Sequence, residues 1–483
     1  MTQESMSARL RRVEDGPVTD ATEHAAVFIT GTRLADVPPT VLAAAKHSML
    51  DGFGLAVAGS RTEAARIARD EVGSYRCATT DAAALGTTLR VPPRFAAFLN
   101  GLAIHADDYD DTQLATLPDR VYGLLTHPTA PVLPTALALG EAGGRTGADV
   151  LLAYVVGVEV ETKVSEAINP RHYDDGFHST GTVGTIGSGA AAASILGLTP
   201  DVTRAALSIA ASQAAGLREN FGTMTKPFHA GRAAESGLLA ASMAQRGFTA
   251  ANNILESRRG FFSAAGGGYE PSAFTPGAPW TFDAPGVSIK PHPSGSLTHP
   301  AMFALMELLK KHDIQAADIE DVTVGTNRHM PNALIHHDPH DHLAAKFSME
   351  FCMAILCIER RAGLAEFTDA VVMRNDVREM MRRIRFEVDP EAEGAGYNNM
   401  TSIVRIRLRN GTAYEGRAAF GKGSPQNPMS EAEVRAKFME CIDAGGIGAE
   451  AGSRAADLIL DIEHQADVRQ VISLLTSAPG STP

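Results

Sequence analysis

Cysteine and tryptophan are scarce and no long apolar run is present: the 483 residues include four cysteines and one tryptophan. Cys77, Cys352, Cys357 and Cys441 contain no C-x-x-C pair, which argues against a disulfide framework or a zinc ribbon and fits a reducing cytoplasm. The most apolar local stretch, Val150 to Val158, is about half a bilayer span and runs directly into Glu159. The opening MTQESMSARLRRVEDG lacks the apolar segment of a secretory signal, so a cytoplasmic protein is expected. Basic excess is absent too. With 43 basic against 56 acidic side chains the net charge is -13, a balance that repels a phosphate backbone, so neither nucleic acid nor membrane is expected as a partner. Nor is there a G-x-x-x-x-G-K-[ST] loop, a G-x-G-x-x-G turn after a strand, or a G-x-S-x-G elbow, and readings based on ATP, dinucleotides or serine hydrolysis lose support.

What is present is a globular composition, 44% hydrophobic and 20% charged, enough to bury a large core. From about Ala21 to Phe262 the chain is rich in Ala and Leu at helical spacing, within a first domain expected over residues 20–286. The blocks Pro39 to Ala58, Pro131 to Ala142, Ala148 to Ile168 and Ala230 to Gly247 predict an all-helical body. Within it, Ser179 to Leu198 sets Gly181, Gly184, Gly187 and Gly189 among small residues, which suits close helix packing. After the Gly/Pro-rich stretch near Gly266 the pattern becomes mixed. DVTVGTN alternates, and Val404, Ile406 and Leu408 face away from Arg405, Arg407 and Arg409 before the turn pair Asn410-Gly411, which predicts a hairpin. Pro300 to His312 and Ala344 to Arg360 read as helices, so residues 287–420 form an α+β unit. Ser430-Glu431-Ala432-Glu433 then starts a helical return, residues 421–478, to the first body. The expected fold is a large all-helical domain plus a smaller α+β lid.

Chemistry concentrates in His105-Ala-Asp-Asp-Tyr-Asp-Asp-Thr112. On a helix Asp108, Asp111 and Thr112 would share one face. A solvated acidic turn, an aspartate-rich Mg²⁺-diphosphate motif and a carboxylate set that tunes a histidine all fit this composition. Further on come His127, His178 and the run Lys226-Pro227-Phe228-His229. His178 precedes the small-residue helix, whose positive end favours an anion, and Pro227 disfavours helical backbone at Lys226, which places that lysine on a loop. Several cations in an acidic protein read as a pocket for a small polycarboxylate. Lys290, between Ile289 and Pro291, reads equally as part of a stiff lid loop or of a plain connector. The run His336 to His342 resembles a metal site in composition but not in spacing.

These residues give the chain a resemblance to the MmgE/PrpD family. It rests on Met49-Leu50-Asp51-Gly52 with Gly54, Asn100-Gly101 leading into His105 to Thr112, His127-Pro128, Gly176-Phe177-His178, and Thr225-Lys226-Pro227 with His229. Lys290-Pro291, Lys346-Phe347-Ser348, Gly423-Ser424-Pro425 and Asn427-Pro428 continue it. The resemblance implies a homodimer of two-domain subunits with a cleft active site, no cofactor and no metal. It implies catalytic roles for Asp108, His127, His178 and Lys226, and substrate binding by Thr112 and Lys290, beside which the sequence adds His229. Asp108 would fix the tautomer or basicity of a histidine, with His127 and His178 doing acid/base work. The implied activity is that of a lyase on a small di- or tricarboxylate, a 2-methylcitrate dehydratase-like hydro-lyase first, with an epimerase, isomerase or decarboxylase of the iminodisuccinate or cis-aconitate type as the alternative. Two departures stand out: the extra segment Gln113 to Leu125, and Gly295 where the decarboxylase has a lid histidine.

Overall fold

The computed structural model describes residues 20–75, 77, 79, 81–113, 126–396 and 399–476. The inserted segment is thus described only at Gln113, and 114–125 lie outside the described residues.

Helices built from alternating small and large apolar residues make the first body: α1 (Pro39–Gly59), α2 (Pro93–Ala106), α3 (Thr129–Gly143), α4 (Gly147–Ala167), α5 (Ser179–Leu196) and α6 (Thr225–Gln245). Helix α5 is buried on every side except near its end, packing against α3, α4 and α6. Its glycines serve that approach: a Cβ at Gly187 would sit 2.6 Å from the Glu161 Cβ of α4. No helix among the described residues is long and apolar enough to cross a membrane.

A second layer holds a four-stranded sheet in the order β4-β3-β5-β6, with β3 (Ile319–Thr326), β4 (Ile384–Val388), β5 (Ser402–Leu408) and β6 (Ala413–Ala418); the two-residue β1 (Ala82–Ala83) and β2 (Arg90–Val91) pair separately. The β5-β6 hairpin closes through Arg409-Asn410-Gly411, with Leu408 N–H donating to Thr412 O at 2.8 Å and Gly411 at φ 87°. Helices α7 (His299–Lys311) and α8 (Met349–Glu359) cover one sheet face. The predicted single helix Ala344 to Arg360 is broken: Lys346, Phe347 and Ser348 lie between the short turn His342–Ala345 and α8, and the Ser348 side chain caps α8 by accepting from Phe351 N. Strand β4 escaped the sequence reading because IRFEV is an edge strand with charged, exposed positions.

Two large apolar clusters follow. One joins Val37 to Ile289 with Val434 to Leu475, and another runs from Leu297 to Ala418. Helix α9 (Glu431–Ala444) starts with the predicted capping box, in which Ser430 accepts from Glu433 N and the Glu433 carboxylate accepts from Ser430 N. It is docked by a buried ion pair: Lys437 Nζ lies 2.7 Å from Asp51 Oδ1 of α1. Lys437→Ala strands that carboxylate. The expected result is a loss of about 3 kcal/mol, read from the urea midpoint, largely recovered in the double variant with Asp51→Ala.

Candidate active site

Helix α2 stops at Ala106, and residues 107–111 form a turn in which Asp108 adopts φ 51°. The helical arrangement that would set Asp108, Asp111 and Thr112 on one face is therefore not adopted; the stretch is a turn, though with Asp108, Asp110 and Asp111 buried rather than solvated. The turn sends each carboxylate to its own partner, which relieves the repulsion a helix would impose. Asp107 meets Lys346 Nζ at 3.0 Å, and Asp111 accepts from Thr129 Oγ1 at 2.6 Å. Asp108 pairs with Lys226, and Lys290 Nζ stands 3.3 Å from its Oδ2 and 2.8 Å from its carbonyl oxygen. Asp110 Oδ2 lies 2.8 Å from His105 Nδ1 and 3.4 Å from His127 Nδ1.

Asp110, rather than Asp108, is thus the carboxylate that stands against the His105 and His127 rings. Burial alone would raise the Asp110 carboxyl, but the two imidazoles beside it hold it well below the usual carboxylate range. Burial likewise opposes ionisation of Asp108, and Lys226 and Lys290 outweigh it. His105 is driven down to about 3 by burial against the pull of Asp110, so it is neutral at pH 7. His127 and His178 are also lowered, again chiefly by burial.

Lys226 is the second residue of α6, not a loop residue, a further correction. Pro227 is tolerated in the first helical turn because no intrahelical N–H is owed there. Lys226 Nζ is 5.2 Å from the ring centroids of both Phe221 and Phe347, which frame it with aromatic faces.

Asp108, His127, His178, Lys226, Lys290 and Gly295 line one cavity of about 50 Å³ between the helical body and the mixed layer. The His178 Nε2 atom, buried there, has no hydrogen-bond partner among the described residues. Two predicted substrate-binding residues lie elsewhere. Thr112 lines a smaller recess behind Lys290 and Ser296, and His229 lines an outer groove and reaches the cavity only through His178, whose Nδ1 is 3.1 Å from its own Nδ1.

His105, Asp108, Asp110 and His127 are close enough together to hold a metal ion. Two ammonium groups already sit on Asp108 and would oppose a divalent cation there. The His336 to His342 run does not converge: His337 pairs with Glu350, His340 with Asp338 and His342 with Asp369. His292 bonds Ala362 O through Nδ1, and His299 lines the recess behind Lys290, so neither stands in the cavity at Gly295.

Sequence reasoning left His105, Asp110 and Lys346 without roles and missed Lys437. A lysine in a polar helix carries no signal of burial, whereas Asp51 inside an apolar helix does. Asp111 gives a pH prediction. Burial raises its carboxyl to about 7, so the folded state holds a proton that the unfolded chain releases near 4. Its contribution to stability is present below pH 4 and lost as pH rises toward 7. Asp111→Asn is expected to flatten that fall, seen as a smaller Tm difference between pH 4.5 and pH 7.5 than in the unaltered protein.

Comparison with known proteins agrees with this architecture. Residues 23–273 match the MmgE/PrpD N-terminal domain and residues 292–462 the MmgE/PrpD C-terminal domain. Cis-aconitate decarboxylase of Homo sapiens is 29% identical over 428 residues, covering 86% of each chain. That of Mus musculus is 29% identical over 437 residues, with 86% of each covered. The cis-aconitate decarboxylase of Aspergillus terreus is 26% identical over 483 residues, covering 93% of this chain and 94% of its own. With both domains matched across most of its length, the chain belongs to the MmgE/PrpD family.

Proposed function

We propose that the protein is a lyase that removes a proton from carbon next to a carboxylate of a small di- or tricarboxylate, and that its reaction is loss of water from a hydroxylated acid of the 2-methylcitrate kind. The observation that supports this most is the convergence of Lys226 and Lys290 on one wall of a cavity also lined by His127 and His178. Such a proton is very weakly acidic. Fixed cations beside the developing negative charge supply the largest gain, and an aligned base adds about 10²–10⁴-fold.

In this reading Lys226 and Lys290 hold the substrate carboxylate. His178 Nε2, neutral and unpaired, takes the proton, and the electron pair left on carbon forms the double bond as the hydroxyl departs. His127 protonates that hydroxyl. Asp110 behind it favours the imidazolium, and the incoming carboxylates favour it further. Every step is a proton transfer or an elimination, so no oxidant or reductant is required. A cavity of about 50 Å³ is far below the ~300 Å³ typical of ligand sites, so the mixed layer must open to admit substrate.

Decarboxylation is the second reading, favoured by the names of the relatives. Against it stands Gly295, which lines the cavity where the family resemblance places a lid histidine, so that the mixed layer offers no imidazole at that position and the cavity's imidazoles, His127 and His178, both come from the helical body. A panel of citrate-like hydroxy acids and cis-aconitate separates the readings. New alkene absorbance without CO₂ is expected. CO₂ release would favour decarboxylation, a change of optical rotation alone would favour epimerisation, and no change with any acid would overturn the proposal. The family resemblance also makes a homodimer the expected assembly, checked by light scattering.

A further inference from the structure

We propose that His229 carries protons between His178 and the outer groove, so that hydrogen taken from the substrate leaves through the helical body rather than through the mixed layer. The inference rests on the reading above that His178 is the group that takes the proton.

Its geometry is a line of ring nitrogens. His178, just ahead of α5, is 2% exposed; its Nε2 is unpartnered among the described residues and its ring lines the catalytic cavity. Its Nδ1 lies 3.1 Å from His229 Nδ1. Two Nδ1 atoms at that distance form a hydrogen bond only if one carries a proton and the other does not. His229, near the start of α6, lines a groove of about 550 Å³ on the far side, together with Gln213, Asn220 and Arg232. The dyad therefore joins the small cavity of about 50 Å³ to the larger groove of about 550 Å³.

The backbone makes room for it. Gly216, at φ 140°, lies so close that a Cβ would stand 3.2 Å from His229 Cγ and 3.4 Å from His178 Cβ. No carboxylate is paired with either ring among the described residues, and burial together with Lys226 lowers both below the ordinary imidazole value. Both rings are therefore neutral at rest, the state in which one can accept what the other gives.

The transfer balances. At rest His178 carries its proton on Nδ1 and His229 on Nε2. The substrate C–H bond breaks, its electron pair stays on carbon, and the proton goes to His178 Nε2. The Nδ1 proton of His178 passes to His229 Nδ1, and the Nε2 proton of His229 passes to water in the groove. Both rings end neutral with the shared hydrogen bond reversed; they reset when groove water protonates His229 Nε2, the His229 Nδ1 proton returns to His178 Nδ1, and the Nε2 proton of His178 passes through cavity water to His127, which the elimination left deprotonated. Because His229 never touches substrate, it is a positioning residue that acts through His178.

Two measurements on the full chain test the relay. In D₂O, with the acid from the panel that turns over fastest, deuterium entering unreacted substrate is compared with product formed. His229→Ala is expected to lower that ratio by at least about tenfold, with added imidazole restoring it, as for a lost proton-transfer partner. An unchanged ratio overturns the relay and leaves the proposed function standing. Independently, histidine-selective ¹⁵N labelling reports ring tautomers: one protonated and one bare Nδ1 on His178 and His229 supports the relay, and two alike overturns it. If no acid in the panel reacts, the proposed function fails, and the tautomer measurement alone decides the relay.

Discussion

Asp110→Asn is expected to lower kcat by about 10³- to 10⁴-fold, the scale of effect when a buried aspartate behind a working imidazole becomes an amide. The carboxylate is fully buried and its Oδ2 serves His105 and His127 together. An amide in its place can present N–H to both rings, which turns the Nδ1 of His127 into an acceptor and disfavours the doubly protonated ring that gives its proton to the departing hydroxyl. It also withdraws the charge that favours the imidazolium. The loss should fall on kcat with little change in KM, because Asp110 does not line the cavity. A variant that folds with unchanged thermal stability and retains more than a tenth of the activity would remove Asp110 from the mechanism.

Lys226→Ala carries the second largest expected effect, a fall of about 10²- to 10³-fold in kcat/KM, comparable to the loss of one fixed donor at a developing oxyanion. Both KM and kcat should suffer, since the ammonium is assigned to hold the carboxylate before and during charge development. Its removal also leaves Asp108 with Lys290 alone, and the surplus negative charge would repel the substrate. Lys226→Arg is expected to rescue little, because a planar guanidinium cannot occupy the slot between the Phe221 and Phe347 rings as a compact ammonium does. Normal kcat/KM in Lys226→Ala would take away the electrostatic basis of the proposed reaction.

Much of this arrangement was legible in the sequence because chain patterning reports what local backbone must do. Apolar spacing located the helical body, the alternation around Val404 and Ile406 located the hairpin, and Ser430 with Glu433 marked the start of α9. Asp108, His127, His178, Lys226 and Lys290 were named from ordered motifs, whereas Tyr173, Phe221, Ala333 and Leu334, which line the same cavity, were not. What failed was direction. Spacing along Asp107 to Thr112 left a helical face and a solvated turn both open, and a single left-handed residue, Asp108, redistributes the side chains of what is a buried turn. Pro227 was read as excluding Lys226 from a helix, although the first turn has no donor to lose. His229 was read as facing substrate, and only the packing of α5 against α6 sets it one ring farther back. Roles that depend on which neighbour a side chain meets, such as that of Asp110, are decided by tertiary contact and leave no local pattern.

The turn after α2 is held from outside its own half of the chain: Lys346 Nζ donates to Ala106 O, Lys290 to Asp108 O and Lys437 to Tyr109 O. These carbonyls are sequestered, and nothing in the first 280 residues replaces the ammonium groups that satisfy them among the described residues. A gene split near residue 280, or a chimera that grafts the amino-terminal portion beneath a foreign cover lacking those lysines, would therefore yield this turn with its peptide oxygens stranded. The two portions are expected to evolve, and to be engineered, only as a matched set.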